Sequence, residues 1–218
     1  MKHNVINKYL AIQENIKKNK TDHHKVNIIS VSKTFDIDKI MPLIEHGNIH
    51  FGENKVQEAE NKWKDIIKNN PSINLHMIGK LQSNKAKKAV ELFNYIHSLD
   101  SKKLADELSK REKNLNKKLK YFIQVNIGNE DQKSGIPFNE VDQFYDYCSK
   151  NINLNVIGLM AIPPNDENIE INFKCLYEAN LSLGLKELSM GMSNDYLKAL
   201  KYNPTFLRIG SAIFGKRD

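Results

Sequence analysis

The sequence predicts an α/β protein, a single (β/α)8 TIM barrel with one extra helix at its N-terminus. Three observations lead to this fold class. Short apolar runs alternate with helical segments about eight times along the 218 residues. Alternation of this kind, with short connections, indicates a parallel sheet covered by helices. The runs are nearly continuous, as in parallel strands buried on both faces, and eight such units can close into a small barrel.

A doubly wound open sheet is the alternative arrangement of the same elements. When that fold binds a dinucleotide, a GxGxxG turn directly follows its first strand. No such motif follows the first apolar run, Ile28–Val31, so the barrel is the better prediction. No linker, low-complexity tract or second domain is visible, and we expect one domain over residues 1–218.

The extra helix is predicted over residues 3–19, because Val5, Tyr9, Ile12 and Ile16 recur at helical spacing with lysines opposite. The eight strands are predicted, in order, at 28–31, 49–51, 74–79, 94–99, 120–127, 156–162, 187–190 and 206–209. The helices that follow them are predicted at 36–46, 56–68, from 83 onward, 101–113, 139–150, 167–183 and 194–200.

Local signals mark several of these helix ends. Asp36 is expected to cap the helix that Gly47 stops, and Pro71 ends the next one. The run KYFIQVNI is the strongest strand, and the polar loop GNEDQKSG follows it. Helix and strand periods therefore alternate with turn residues between them, as the barrel requires.

The composition is ordinary for a globular protein, with 40% hydrophobic and 27% charged residues, but the formal net charge is +7. This charge suits either nucleic acid or a small phosphorylated ligand. The lysines are spread along the chain among acidic residues, and the arginines are only Arg111, Arg208 and Arg217. Without an arginine-rich block or an RNA-binding signature, we expect no nucleic-acid partner.

The expected location is the cytoplasm, without a membrane partner. No stretch approaches the apolar length of a membrane span, and MKHNVINKYL at the N-terminus lacks the apolar core of a signal peptide. The two cysteines, Cys148 and Cys175, have no CxxC spacing. We expect both to be reduced thiols on helices.

Lys33 stands where the first predicted strand, NIISVSK, ends. An ammonium group there costs several kcal/mol to desolvate without a partner. The side chain either leans into water or pairs with a carboxylate, or its amine forms a Schiff base with an aldehyde, as buried lysines can. The strand alone leaves these alternatives open.

Two neighbouring strands end in groups that suit a phosphate. Gly210-Ser211 follows the last strand and exposes backbone N–H groups and a hydroxyl. Ser193 stands just before a predicted helix, where its hydroxyl is either an N-cap or a phosphate ligand. Loops after the seventh and eighth strands of a barrel often bind phosphate, which favours the second interpretation.

Arg208 lies two residues before Gly210 and so on the same side of its strand. A guanidinium in a barrel mouth needs an acceptor, which is either a surface carboxylate or a ring nitrogen of a bound cofactor. A lysine that captures an aldehyde, a phosphate site and a cation facing a ring together describe pyridoxal 5'-phosphate (PLP).

Seven motifs then carry a family resemblance. They are VSKT, FGEN followed by KVQEAENK, HMIGKLQSNK, KSGI, GLMAI, LSMGMSNDY and RIGSAIFG. In this order they resemble the YggS/PROSC family of PLP homeostasis or PLP-binding proteins, from about residue 27 to residue 215. The fold of that family is similar to the barrel domain of bacterial alanine racemase.

The resemblance implies how the cofactor is held. Lys33 would carry PLP as a Schiff base. Ser193, Gly210 and Ser211 would hold its phosphate. These roles come from the family, and they agree with the chemistry that the residues suggest by themselves.

The resemblance also implies the surroundings of the pyridine ring. Arg208 would face the ring nitrogen, Asn54 would lie beside the ring, and Met192 would pack nearby. His76 is a weaker candidate, for which a hydrogen-bonded core histidine is an equal alternative.

The chain departs from the family at one position. Members often continue VSKT with Lys-Pro, whereas Phe35-Asp36 stands here, so a second lysine does not act there. Lys133, before SGI, keeps a second capture point open, although a solvated loop lysine is favoured.

The expected function is a PLP carrier in cofactor homeostasis, which binds PLP reversibly and passes it to apo-enzymes, and not an enzyme. The alternative is a small single-domain amino-acid racemase. Alanine racemase needs a second, β-rich domain with a tyrosine base, for which we expect no room here. An arginine at the ring nitrogen also weakens the ring as an electron sink. We expect a monomer and leave a dimer open.

Overall fold

The computed structural model describes residues 2–20, 24–128, 134–164 and 166–215. Within them the strands are β1 (Asn27–Val31), β2 (His50–Glu53), β3 (Asn74–Met77), β4 (Tyr95–Leu99), β5 (Lys120–Asn126), β6 (Ile136–Pro137), β7 (Val156–Ala161), β8 (Glu187–Met192) and β9 (Phe206–Ile209). The α-helices are α1 (Lys2–Asn19), α2 (Ile37–Glu45), α3 (Val56–Asn69), α4 (Ala86–Leu92), α5 (Lys102–Leu115), α6 (Val141–Asp146), α7 (Ile169–Ser182), α8 (Tyr196–Ala199) and α9 (Ser211–Phe214).

Eight of these strands form a closed parallel barrel, which confirms the predicted fold class. Around the barrel the order is β1, β2, β3, β4, β5, β7, β8 and β9, and β9 pairs again with β1. The pairing of β4 with β5 closes the barrel, whereas in an open sheet two edge strands would stay unpaired. The two-residue strand β6 attaches to β5 at Val125; it is too short to show a pattern and was not predicted.

The predicted N-terminal helix is present as α1. Its apolar side chains Val5, Tyr9, Ile12 and Ile16 are all buried, as their helical spacing predicts. The Tyr9 hydroxyl donates to Asn48 Oδ1 at 3.1 Å, and α1 packs against α2 and α9. The helix therefore lies outside the barrel, next to the start of β2.

Several helix limits differ from the prediction. The helix predicted over 139–150 is α-helical only over α6 and continues as a π-helical turn, Tyr147–Asn151. The helix expected from Ser83 begins with a 3-10 turn, Ser83–Lys85, before α4. Such ends are set by packing as much as by local sequence, so their limits shift by a few residues.

The core has two apolar layers. The larger layer lies between the strands and the helices and includes the fully buried Trp63; burying a side chain of this kind stabilises a fold by about 1.5–3 kcal/mol. A second cluster, which is set apart from the first, consists of Ile29, Tyr95, Phe122, Met160 and Phe206. These five residues come from five barrel strands, and the three aromatic ones contact buried histidines.

Among the described residues, no helix is long and apolar enough to cross a membrane.

Candidate functional site

A cavity of about 600 Å³ lies at the C-terminal ends of the barrel strands. All seven site residues selected from the sequence line it, namely Lys33, Asn54, Met192, Ser193, Arg208, Gly210 and Ser211. The structure therefore brings these seven residues to one cavity, and their roles toward a ligand stay predictions. The cavity has the size of an ordinary small-molecule site.

Lys33 follows β1 and is half-buried at this cavity. The chain turns sharply after it, because Thr34 has a φ of +67°. A left-handed conformation is rare for a β-branched residue and stores strain that the surroundings must hold. The surrounding structure therefore holds the strained turn in place, and the turn fixes the position of Lys33.

A largely buried ion cluster, formed by side chains of α3 and β2, anchors this turn. The Lys62 ammonium, on α3, donates to the Ser32 carbonyl at 2.9 Å and contacts Glu53 Oε1 and Glu58 Oε1 at 3.1 Å each. Glu58 Oε1 also accepts the backbone N–H of Thr34. The sequence analysis missed this cluster, although its carboxylates and lysine lie within the quoted motifs FGEN and KVQEAENK.

Glu53 is the buried partner in the cluster. Its side chain has no solvent exposure, and its Oε1 accepts from Ser32 Oγ at 2.7 Å and from Trp63 Nε1 at 2.9 Å. Burial raises the pKa of Glu53, and hydrogen bonds from Trp63 and Ser32 and the charge of Lys62 act against that rise. Lys62 therefore supplies the opposite charge beside this buried carboxyl group.

We expect Lys62→Met to lower the free energy of unfolding by about 3 kcal/mol at pH 7, because it leaves a buried carboxylate without its cation. The deficit should shrink as the pH falls, since Glu53 can then be protonated. Urea unfolding at several pH values measures both effects. The matched control is Lys64→Met, an exposed lysine on the same helix, and equal losses in the two variants would contradict the anchoring role.

Ser193 does not occupy the place that the sequence predicted. It was expected directly before a helix, as an N-cap or a phosphate ligand. Asp195 holds the N-cap position of α8 instead, and Ser193 Oγ accepts from the N–H groups of Gly210 and Ala212 at 3.2 and 3.3 Å. The hydroxyl thus joins the end of β8 to the turn after β9.

Gly191 gives the last part of β8 an unusual backbone conformation. This residue has a φ of +87°, which favours glycine. A Cβ there would lie 2.8 Å from Leu207 Cδ2 and 2.9 Å from the Ala199 Cβ. β8 ends at Met192, and in the turn that follows, Asp195 Oδ1 accepts the Met192 N–H at 2.5 Å.

Arg208 lines the cavity, and the residue is only 4% exposed. It donates to Ser189 Oγ at 2.7 Å through Nη1 and to the Ala161 carbonyl at 2.8 Å through Nη2. Burial lowers the pKa of Arg208 to about 10, and the nearby Asp195 acts in the opposite direction. The group therefore stays cationic at pH 7, and its partner is not the surface carboxylate that the sequence left open.

Three further expectations have different outcomes. His76 is fully buried and hydrogen-bonded to two other histidines, so the core-histidine alternative is confirmed. Lys133 lies outside the described residues, and its role as a second capture point stays a prediction. Tyr196, inside a predicted helix, was expected to have a surface or packing role; it is 8% exposed, and its hydroxyl accepts from Asn15 of α1 at 3.4 Å.

Comparison of the sequence with known proteins gives the following similarities. Residues 8–218 match the family model described as "Alanine racemase, N-terminal domain". A Pasteurella multocida protein named "Pyridoxal phosphate homeostasis protein" is 37% identical over 217 residues, which cover 95% of this chain and 93% of that protein.

Solved structures extend the comparison to the fold. PipY of Synechococcus elongatus, solved with PLP bound, is 31% identical, with a TM-score of 0.85 over 97% of this chain and 100% of that chain. Alanine racemase of Clostridium difficile has a TM-score of 0.74 at 14% identity, over 99% of this chain and 57% of that chain. The second similarity shows a shared fold alone.

Proposed function

The chain belongs to the family of pyridoxal phosphate homeostasis proteins, and on this premise we propose that its cavity binds PLP and that the protein acts in the homeostasis of this cofactor. One observation supports the proposal above the others: an amine, a guanidinium and a cluster of hydroxyl and N–H donors line the same cavity. The amine is that of Lys33, the guanidinium is that of Arg208, and the hydroxyl and N–H donors lie in the turn around Gly210.

These three groups match the three polar ends of PLP. When bound, PLP supplies an aldehyde that condenses reversibly with a primary amine and releases one water. Lys33 is the half-buried amine of the cavity, and a lysine in such a place is a suitable nucleophile. We assign the covalent attachment to Lys33.

The phosphate is assigned to the turn after β9. The N–H groups of Gly210 and Ala212 already converge on one oxygen, Ser193 Oγ. With the hydroxyl of Ser211 they make a small set of neutral donors that suits a phosphate dianion. We propose that Ser193, Gly210 and Ser211 bind it.

The ring nitrogen is assigned to Arg208. A guanidinium has five N–H groups, of which Ser189 and Ala161 accept two. A cation held at this place disfavours protonation of the pyridine, which makes the ring a poorer electron sink. Asn54 and Met192 line the same cavity, and we propose that they contact the ring.

The same geometry argues against amino-acid turnover. Among the described residues that line the cavity there is no tyrosine, and a racemase needs a second group to exchange the proton on the far side of the cofactor. The homeostasis name of the relatives agrees with a role outside catalysis. We propose that the protein holds PLP reversibly, as a monomer in the cytoplasm, and releases it to apo-enzymes.

The decisive experiment separates this carrier from the racemase alternative. The PLP-loaded protein is incubated with L-alanine in D₂O; chiral chromatography follows the D-isomer, and NMR follows deuterium at Cα. We expect no D-isomer and at most slow deuterium exchange, since a single lysine amine can act on one face only. Turnover above about 1 s⁻¹, the low end for enzymes, would favour the racemase.

A further inference from the structure

A chain of hydrogen bonds runs through the inside of the barrel and ends on Arg208. Arg208 donates to Ser189 Oγ, which lies 2.9 Å from His97 Nδ1. His97 Nε2 lies 2.9 Å from His76 Nδ1, and His76 Nε2 lies 2.9 Å from His50 Nδ1. Ser189, His97 and His76 have no solvent exposure. The proposed function gives these three imidazoles no role.

Arg208 supplies the starting point from which we assign the direction of each bond in the chain. A guanidinium can only donate, so Ser189 Oγ accepts from it and has one proton to give. The acceptor for that proton, among the described residues, is His97 Nδ1. His97 then carries its own proton on Nε2 and donates to His76, and His76 donates to His50 in the same way.

All three imidazoles are held neutral. Burial is the main cause that lowers the pKa of each, to about 4 for His50 and well below the usual value for His76 and His97. The charged groups that act on them, Lys25, Lys120 and Arg208, are cations and lower these pKa values further. Aromatic rings cover their faces, with Tyr95 stacked on His76 and Phe122 on His97.

We infer that Ser189, His97, His76 and His50 form a positioning array that holds the Arg208 guanidinium as a fixed donor at the floor of the cofactor cavity. The array presents acceptor ends toward the cation, and aligned neutral bonds strengthen one another in a low-dielectric interior. The inference rests on the proposed function in one respect, namely that PLP is the ligand to which Arg208 donates.

The first test needs no cofactor. Long-range ¹H–¹⁵N NMR on histidine-labelled protein reports which ring nitrogen carries the proton. We expect the Nε2–H tautomer for His50, His76 and His97 at pH 7. A proton on Nδ1 of His76 or His97, or a charged ring at either residue, would overturn the array. This result stands whether or not PLP binds, so it is distinguishable from a failure of the proposed function.

The second test measures PLP affinity in a matched pair of variants. Ser189→Ala removes the hydroxyl between Arg208 and His97. Ser98→Ala removes another fully buried strand hydroxyl, one that has no hydrogen-bond partner among the residues that the structure describes. We expect Ser189→Ala to weaken PLP binding about tenfold, the value of one hydrogen bond to a charged group. Ser98→Ala should leave it unchanged.

Two additional readouts separate positioning from simple packing. Ser189→Thr keeps the hydroxyl and should restore binding to within about threefold of the wild type, a difference smaller than one hydrogen bond. In Ser189→Ala, His97 should lose its single tautomer, because Nδ1 no longer has its donor. Equal PLP affinities of the Ser189→Ala and Ser98→Ala proteins, or an unchanged NMR spectrum of His97, would refute the inference. Either result would show that these side chains only fill space in the core.

Discussion

Lys33→Ala should abolish covalent attachment of PLP and leave the fold intact. Lys33 is the half-buried amine that follows β1 at the cavity, and the strained Thr34 turn holds it there. Without this amine the aldehyde has no partner at the end of β1, although the donors at Gly210 and Arg208 remain. The absorption band of the lysine adduct, near 420 nm in the wild type as a general property of the chromophore, should be lost, while circular dichroism stays unchanged.

The matched control for this prediction is Lys80→Ala. Lys80 lines the same cavity but is exposed, so its removal should leave the band in place. Borohydride reduction followed by peptide mapping locates the adduct in the wild type. A pyridoxyl group on Lys80 or Lys133, or a Lys33→Ala protein that keeps its band, would contradict the assignment.

We expect the free energy of unfolding to fall by about 4 kcal/mol between pH 7 and pH 5 because of His76 and His97. Both are fully buried, and burial holds their pKa values well below 6.5. At pH 5 the unfolded chain binds a proton at each of these residues, whereas the folded chain does not. Each histidine then destabilises the fold by about 2 kcal/mol, and the loss begins as the pH falls through 6.5.

Three buried or partly buried carboxyl groups act in the opposite direction and must be separated from this effect. Burial raises the pKa values of Glu53, Asp100 and Asp195. Their contribution to the free energy of unfolding therefore increases as the pH falls through the pKa values that they have in the folded protein. Calorimetry in buffers of different ionisation enthalpy isolates the histidines at pH 5.5, where carboxyl protonation is smaller. Unfolding should take up close to one proton at each of His50, His76 and His97; an uptake near zero would show that these rings are already charged in the fold.

Much of the candidate site was predictable because the fold brings it together. The C-terminal ends of parallel barrel strands converge, so residues that follow different strands meet even when they are far apart in the chain. This is why Lys33, Asn54 and Arg208 line the same cavity. No contact between side chains had to be known for that prediction.

The helix start predicted at residue 194 was wrong by two residues, because it depends on contacts that the local sequence does not show. The N-cap alternative for Ser193 fails with it, whereas the phosphate role that the sequence favoured stays a prediction. In the fold, Asp195 is the N-cap of α8, and the Ser193 hydroxyl meets the backbone of the turn after β9. That turn lies 17 residues further along the chain, and the local sequence does not contain this contact.

The sequence by itself determined the barrel and the group of residues at its mouth, because strand and helix periods, turn residues and strand ends are local features. Only the tertiary structure revealed the array beneath Arg208. His50 and His76 are 26 residues apart, His76 and His97 are 21 apart, and His97 and Ser189 are 92 apart. Their 2.9 Å contacts depend on the register of four strands around a closed barrel, and closure is a property of all eight strands together.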